Sequence, residues 1–147
     1  MSTIPVREFR RILRLFEKEL GSQNQSFCCC DVTITQCHMM MELDKEDTIT
    51  LNELASRLDL DKSTVSRTVD ALVIKGFVNR TIPPDNRRTI LITLTDKGEK
   101  TCERINSGND QYYRKVLGGI PEDVQADFLI GFEALAQAMS TLNKTTR

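Results

Sequence analysis

Apolar positions follow a helical period near both ends of the chain and a strand period in its middle. From Val6 to Leu20 they recur every three or four residues, and from Val124 to Leu142 the spacing is four, four, three, four and three. Between residues 77 and 95, FVNRTI and TILITLT are rich in β-branched residues and alternate with period two. The pattern therefore predicts long amphipathic helices near the ends and a β-hairpin between them.

Further helices are predicted on both sides of the hairpin. Residues 33–43, TITQCHMMMEL, form a short and largely apolar one. TLNE is a capping-box pattern that begins the next helix at Thr50. Asp61 can cap a helix that starts at Lys62, and Gly76 ends it. Thr95 opens another helix after the hairpin.

The order of these elements is four helices, a hairpin and two helices. GSQNQS (21–26) is predicted as a loop after the first helix, and PPDNRR (83–88) as the exposed hairpin tip. This order predicts a mainly α fold with a small two- or three-stranded β wing, a winged helix-turn-helix. The outer helices have little else in the chain to pack on, so we expect their apolar stripes to bury against a second copy.

Charge is distributed unevenly along the 147 residues, although the net charge is only -1. Six basic residues stand against two acidic ones between Lys62 and Arg88, a local charge of +4 that leaves -5 for the rest. Phosphates respond to local potential more than to total charge, so this segment is suited to a polyanion. A chance fluctuation in charge is the alternative.

The helix that begins at Lys62 has one apolar side and one polar side. Its apolar side, which we expect to face the core, comprises Val65, Val69, Leu72 and Val73. Short polar side chains let a helix approach base edges in the major groove, and an arginine can make paired hydrogen bonds to guanine. Arginines at the hairpin tip are suited to a minor groove. The predicted DNA-contacting residues are Lys62, Ser63, Thr64, Ser66, Arg67, Thr68, Arg87 and Arg88. A solvent-facing helix and an ordinary charged turn are the alternative.

Residues 50–98, TLNELASRLDLDKSTVSRTVDALVIKGFVNRTIPPDNRRTILITLTDKG, resemble the core of the MarR family of bacterial transcription regulators. STVSR, L-x-x-K-G-F-V and the RR before the second strand carry the resemblance. It implies a homodimer that binds a pseudo-palindromic operator in double-stranded DNA, usually as a repressor released by a small-molecule effector or by oxidation. It also implies that 33–99 is the winged helix DNA-binding domain of a single chain, 1–147, and that 1–32 and 100–147 are mainly dimerisation helices.

The wing departs from the family pattern at one position. Asn86 stands where the family usually has an aspartate, so a carboxylate that could orient the wing arginine is absent. Asp85, one residue earlier, is a candidate substitute.

Four of the five cysteines and the single histidine lie within eleven residues. They are Cys28, Cys29, Cys30, Cys37 and His38, and the resemblance implies that this region lines the effector pocket. Sensing by thiol oxidation or attack on an electrophile is one interpretation. Binding of a soft metal or metalloid is another, although the spacing matches no standard closed zinc site. The third interpretation is that the cysteines are small apolar side chains buried in the core. It is favoured for Cys37 and Cys102, because both lie on predicted helices. No cofactor is required by any of the three interpretations.

No apolar run approaches the roughly 20 residues that cross a bilayer, and the chain does not begin like a secretory signal. We therefore expect a cytoplasmic protein without a membrane partner. A cysteine-dependent thiol or redox enzyme is an alternative function, but the chain has no Cys-x-x-Cys and no phosphate-binding glycine loop. A winged-helix module that binds protein is another. The prediction is a DNA-binding regulator and not an enzyme.

Overall fold

The computed structural model describes residues 3–27 and 31–145. Within these residues it has six helices and three strands, which confirms a mainly α fold with a small β-sheet. In chain order they are α1 (Val6–Phe27), α2 (Ile34–Leu43), β1 (Ile49–Thr50), α3 (Leu51–Leu58), α4 (Lys62–Ile74), β2 (Val78–Thr81), β3 (Leu91–Leu94), α5 (Asp96–Gly118) and α6 (Glu122–Thr145).

The three strands form one antiparallel sheet in the order β1-β3-β2. Ile49 pairs with Ile92 from one side of β3, and Arg80 pairs with the same residue from the other side. The edge strand β1 has only two residues, and its Thr50 also caps α3. Such a short strand has no alternation of its own, which is why the sequence pattern left a choice between two and three strands.

Local hydrogen bonds begin and end the helices of the helix-turn-helix. The predicted capping box is confirmed: the Thr50 hydroxyl accepts the Glu53 N–H at 3.1 Å, and the Glu53 carboxylate accepts the Thr50 N–H at 2.9 Å. Asp59, at a φ of 52°, ends α3 in the left-handed region. Asp61 caps α4, and Gly76 follows α4 with a φ of 78°, where glycine is favoured.

The core lies where α2, α3, α4 and the sheet pack together. Val65, Val69 and Leu72 are completely buried, which confirms the predicted inner side of α4. The prediction for Val73 is wrong, because its side chain is 37% exposed. One residue advances a helix by about 100°, so Val73, which follows the buried Leu72, lies at the margin of the buried side of α4.

The predicted loop at 21–26 is also wrong, because α1 continues through it to Phe27. Serine, asparagine and glutamine each cost a helix less than about 1 kcal/mol relative to alanine, and the segment contains no proline to break it. Turn-forming composition alone therefore does not end this helix.

The chain forms two compact units, Met1–Asn106 and Ser107–Arg147. The first contains the core and the sheet. The second contains the last part of α5 and the whole of α6, where no residue is buried and the rings of Phe128 and Phe132 stack with centroids 5.5 Å apart. The division by role into 1–32, 33–99 and 100–147 stays a prediction.

Candidate nucleic-acid interface

The N-terminus of α4 is held by the carboxylate of Asp61. This carboxylate accepts hydrogen bonds from the Thr64 N–H at 2.8 Å, the Thr64 hydroxyl at 2.5 Å and the Ser63 hydroxyl at 2.7 Å. The Thr64 hydroxyl, followed by the Ser63 hydroxyl and the Thr64 N–H, holds the pKa of Asp61 well below its ordinary value of 3.8. The cap is therefore an ionised aspartate at neutral pH.

This cap changes what Ser63 and Thr64 can offer to DNA. Each hydroxyl has one hydrogen, and in both cases that hydrogen is directed at Asp61. The two oxygens can still accept hydrogen bonds from base amino groups, but neither hydroxyl is a free donor for a phosphate. The carboxylate of Asp61 also occupies the positive N-terminal end of α4, so this helix end attracts a phosphate less strongly than an uncapped one.

The middle of α4 presents a free guanidinium. Arg67 is exposed, and it makes no hydrogen bond or ion pair with any residue in the described part of the chain. Lys62 is also exposed. The Thr68 hydroxyl donates to the Thr64 carbonyl at 2.9 Å, within the helix itself. Of the predicted contacts on α4, Arg67 is thus best prepared to donate to an external acceptor.

Arg80 on β2 contacts the same face of α4. Its guanidinium forms an ion pair with the carboxylate of Asp70 and lies 3.4 Å from the Ser66 hydroxyl oxygen. Sequence reasoning counted Arg80 only as one charge of the basic segment and missed this contact. The signal that could have found it is Asp70 itself, because an acid on a helix predicted to face DNA calls for a basic partner.

The wing is the hairpin loop that connects β2 to β3, and it carries two exposed arginines, Arg87 and Arg88. The Asn86 side-chain carbonyl accepts the Arg88 N–H at 3.2 Å, and the Asn86 backbone carbonyl accepts the Thr89 N–H at 3.1 Å. An amide at position 86 therefore supplies the acceptor that shapes this turn. Asp85 makes no hydrogen bond or ion pair within the described residues, so nothing supports it as a substitute.

A cation links the end of α4 to the beginning of α2. The Lys75 ammonium donates to the Asp31 carbonyl and, at 3.0 Å, to the side-chain oxygen of Gln36. Gln36 is buried and also forms the capping box of α2 with Thr33. The segment that follows the cysteine triple is thus tied to the end of α4.

The predicted effector region is only partly described. Cys28, Cys29 and Cys30 lie outside the described residues, so their roles stay predictions. Cys37 is half-buried against the core, and His38 is exposed. Among the residues that the structure describes, no three histidine, cysteine, aspartate or glutamate side chains are grouped to hold a metal ion.

Cys102 is a core residue, as the apolar interpretation predicted. It is completely buried, and its thiol donates to the Met40 carbonyl at 3.7 Å. Burial first, and then the negative charge of Asp44, raise the pKa of this thiol to about 12. Cys102 is therefore a neutral thiol without access to solvent.

The long helices carry large apolar side chains that are exposed. On α1 they include Ile12, Leu15 and Phe16, and on α6 they include Val124, Phe128, Leu129, Ile130, Phe132, Met139 and Leu142. Exposed apolar stripes of this length are typical of protein interfaces. In the described part of the chain, no helix is both long enough and apolar enough to cross a membrane.

The helices α3 and α4 and the wing that follows them define a winged helix-turn-helix protein, a fold typical of transcription regulators. The model of the MarR family matches residues 32–90. The chain is also 30% identical over 105 residues to the HTH-type transcriptional regulator YhbI of Bacillus subtilis, covering 61% of this chain and 68% of that protein. The chain therefore belongs to the MarR family of transcription regulators.

A further relative is a transcriptional repressor, and solved structures share the fold. The chain is 28% identical to the HTH-type transcriptional repressor MdtR of Bacillus subtilis, covering 88% of this chain and 84% of that one. Streptococcus pneumoniae FabT in complex with DNA has a similar fold, with a TM-score of 0.81, 21% identity and coverage of 92% and 97% of the two chains. The MepR–DNA complex of S. aureus matches with a TM-score of 0.74 and 22% identity over 89% of this chain and 97% of that one.

Proposed function

We propose that this protein is a homodimeric, sequence-specific DNA-binding regulator that inserts α4 into the major groove and the wing tip into an adjacent minor groove. The exposed Arg67, free of partners within the described residues, is the observation that carries the proposal. The neighbouring wing tip adds the exposed Arg87 and Arg88. The solved DNA complexes of FabT and MepR, which share the fold, support it.

Arg67 contributes base recognition, because an arginine can donate two hydrogen bonds to the O6 and N7 atoms of guanine. The test uses a duplex selected from a random pool by the wild-type protein, with affinity measured by fluorescence anisotropy. Arg67→Ala should weaken binding by about 1–3 kcal/mol and relax the preference at one position of each half-site. Arg104→Ala on α5 is the matched control, because it removes an exposed arginine outside the basic segment and should leave affinity unchanged.

Arg88 contributes attraction to the backbone of the duplex. Arg88→Ala should weaken binding to selected and unselected duplexes alike and reduce the slope of log affinity against log salt by about 1. If affinity for the selected duplex is unaffected by both the Arg67 and the Arg88 substitutions, the proposal fails. A salt-insensitive interaction without any DNA binding would instead support a winged-helix module that binds protein.

The exposed apolar side chains of α1 and α6 support a homodimer. Light scattering after size exclusion should give twice the chain mass of 16.7 kDa. Phe128→Glu places a charge on the exposed stripe of α6 and should produce monomers that bind the selected duplex weakly. Glu133→Lys, a charge change at an exposed position next to Phe132, is the control and should remain dimeric.

The regulator is further proposed to be a repressor released by a small ligand, by thiol oxidation or by a soft metal or metalloid. Affinity for the selected duplex is measured with peroxide, with arsenite or copper, and with reductant. Replacing Cys28, Cys29 and Cys30 together by serine should abolish a response that the wild type shows. Identical responses of the two proteins would exclude these cysteines as the sensor.

A thiol enzyme is the weaker alternative. Cys102 is buried as a neutral thiol, so it does not resemble an activated nucleophile, and Cys37 is the described cysteine that an enzyme would have to use. Turnover of a disulfide or peroxide that Cys37→Ser abolishes would support the enzyme instead.

A further inference from the structure

Asp70 is an acid on the helix that is proposed to enter the major groove. It follows Arg67 by three residues, so the two side chains lie on neighbouring parts of one helix face. A carboxylate at this spacing is a natural partner for an arginine on the same helix. Arg67 nevertheless has no partner within the described residues, and the carboxylate of Asp70 is paired with Arg80 instead.

The sheet fixes the position of Arg80. Arg80 lies within β2, opposite Ile92 of β3. Ile92 is completely buried, and β2 packs directly on α4. The Arg80 side chain is only 28% exposed, whereas that of Asp70 is 53% exposed. A second contact, 3.4 Å to the Ser66 hydroxyl oxygen, brings Arg80 against α4 one turn before Asp70. The pairing of β2 with β3 and the packing of β2 on α4 thus hold the Arg80 guanidinium beside α4.

We propose that Arg80 is a positioning residue for DNA recognition: by pairing with Asp70, it prevents that carboxylate from capturing Arg67 and leaves the Arg67 guanidinium available to a guanine edge. This inference rests on the proposed function. Arg80 acts through Asp70 and Arg67, and its own contact with DNA is not required.

Removing Arg80 releases the carboxylate of Asp70. Arg67 then has an anionic acceptor one turn away on its own helix, and pairing with it competes with pairing to guanine. An ion pair between exposed side chains three residues apart is weak, so Arg80→Ala should lower affinity for the selected duplex about threefold. Adding Asp70→Asn should restore the affinity of the wild type, because the competing charge is gone. The ion pair is still absent in this double variant, so a purely structural role of the pair would not give this rescue.

A double-mutant cycle with Arg67 separates the proposal from direct DNA contact by Arg80. If Arg80 acts through Arg67, Arg67→Ala combined with Arg80→Ala binds no more weakly than Arg67→Ala alone. If Arg80 contacts phosphate itself, its loss lowers affinity by the same factor in both backgrounds, and the proposal is overturned. Failure of Asp70→Asn to restore binding overturns it as well.

Thermal unfolding of each variant is compared with that of the wild type before binding is measured. If Arg80→Ala does not fold, Arg80→Gln replaces it in both cycles, because glutamine keeps a donor for the Ser66 hydroxyl and a long side chain without the charge. Failure of the wild-type protein to select any duplex refutes the proposed function. Binding by the wild type together with additive effects of the Arg67 and Arg80 substitutions refutes only the role of Arg80.

Discussion

Gly98, in the first turn of α5, lies so close to a neighbouring backbone that replacement by alanine should destabilise the fold. A Cβ at this position would lie 2.1 Å from the Phe77 carbonyl oxygen and 3.1 Å from a methyl group of Leu94. Such contacts essentially never fall below 3.0 Å, so the two backbones would have to separate by about 0.9 Å. The Phe77 oxygen also accepts the Thr95 N–H at 3.0 Å, and separation would weaken this bond.

The magnitude follows from three contributions. Overpacking of a tight site costs about 1–3 kcal/mol, and a weakened backbone hydrogen bond costs up to about 1.5 kcal/mol. The higher helix propensity of alanine offsets about 1 kcal/mol of this. Gly98→Ala should therefore lower the free energy of unfolding by about 2 kcal/mol. Gly21→Ala in α1 is the matched control: an added Cβ meets nothing within 4 Å, so this variant should gain about 0.5–1 kcal/mol.

Urea unfolding followed by helical circular dichroism measures both variants. Protein concentration is kept equal, because association shifts apparent stability, and the slope against urea should be unchanged. The reasoning is refuted if Gly98→Ala lies within about 0.5 kcal/mol of the wild type, or if both alanine variants change stability in the same direction.

Three further predictions concern burial and ionisation. Leu72→Ala, at a completely buried position of α4, should lower the free energy of unfolding by about 2–5 kcal/mol. Ile74→Ala on the same helix, at 87% exposure, should change it by less than about 0.5 kcal/mol. Equal effects of the two variants in urea unfolding would contradict the described orientation of α4. Because the pKa of Asp61 is lowered in the folded state, its ionised form stabilises the fold at pH values above its ordinary pKa of 3.8, and this contribution is lost as pH falls below that value. The difference in unfolding free energy between wild type and Asp61→Asn should therefore shrink between pH 5 and pH 2. A constant difference would contradict the cap. With its pKa raised to about 12, the Cys102 thiol should resist iodoacetamide at pH 8 until the protein is unfolded, as peptide mass spectrometry can measure, and rapid labelling of the folded protein would contradict its burial.

Features that depend on neighbours in the sequence could be predicted correctly. The capping box at Thr50, the cap at Asp61 and the glycine that ends α4 at Gly76 each rest on hydrogen bonds or backbone angles within a few residues. The inner side of α4 follows from helical periodicity, although Val73 at its margin does not. The end of α1 was mispredicted, because residues that favour turns are also tolerated in a helix when no proline intervenes.

By itself, the sequence determined the order of the helices and the wing, and it determined the basic segment. It also determined which residues of α4 face the core of the fold, apart from Val73 at the margin. Only the tertiary structure decided which charged groups of the interface are free and which are paired. Arg80 reaches Asp70 because the register of β2 and the packing of β2 on α4 bring them together, and Lys75 reaches Gln36 across 39 positions of the chain. Periodicity and capping act over a few residues, whereas an ion pair between distant elements depends on how those elements pack. The free guanidinium of Arg67 is thus a property of the folded chain that its own neighbours in sequence do not reveal.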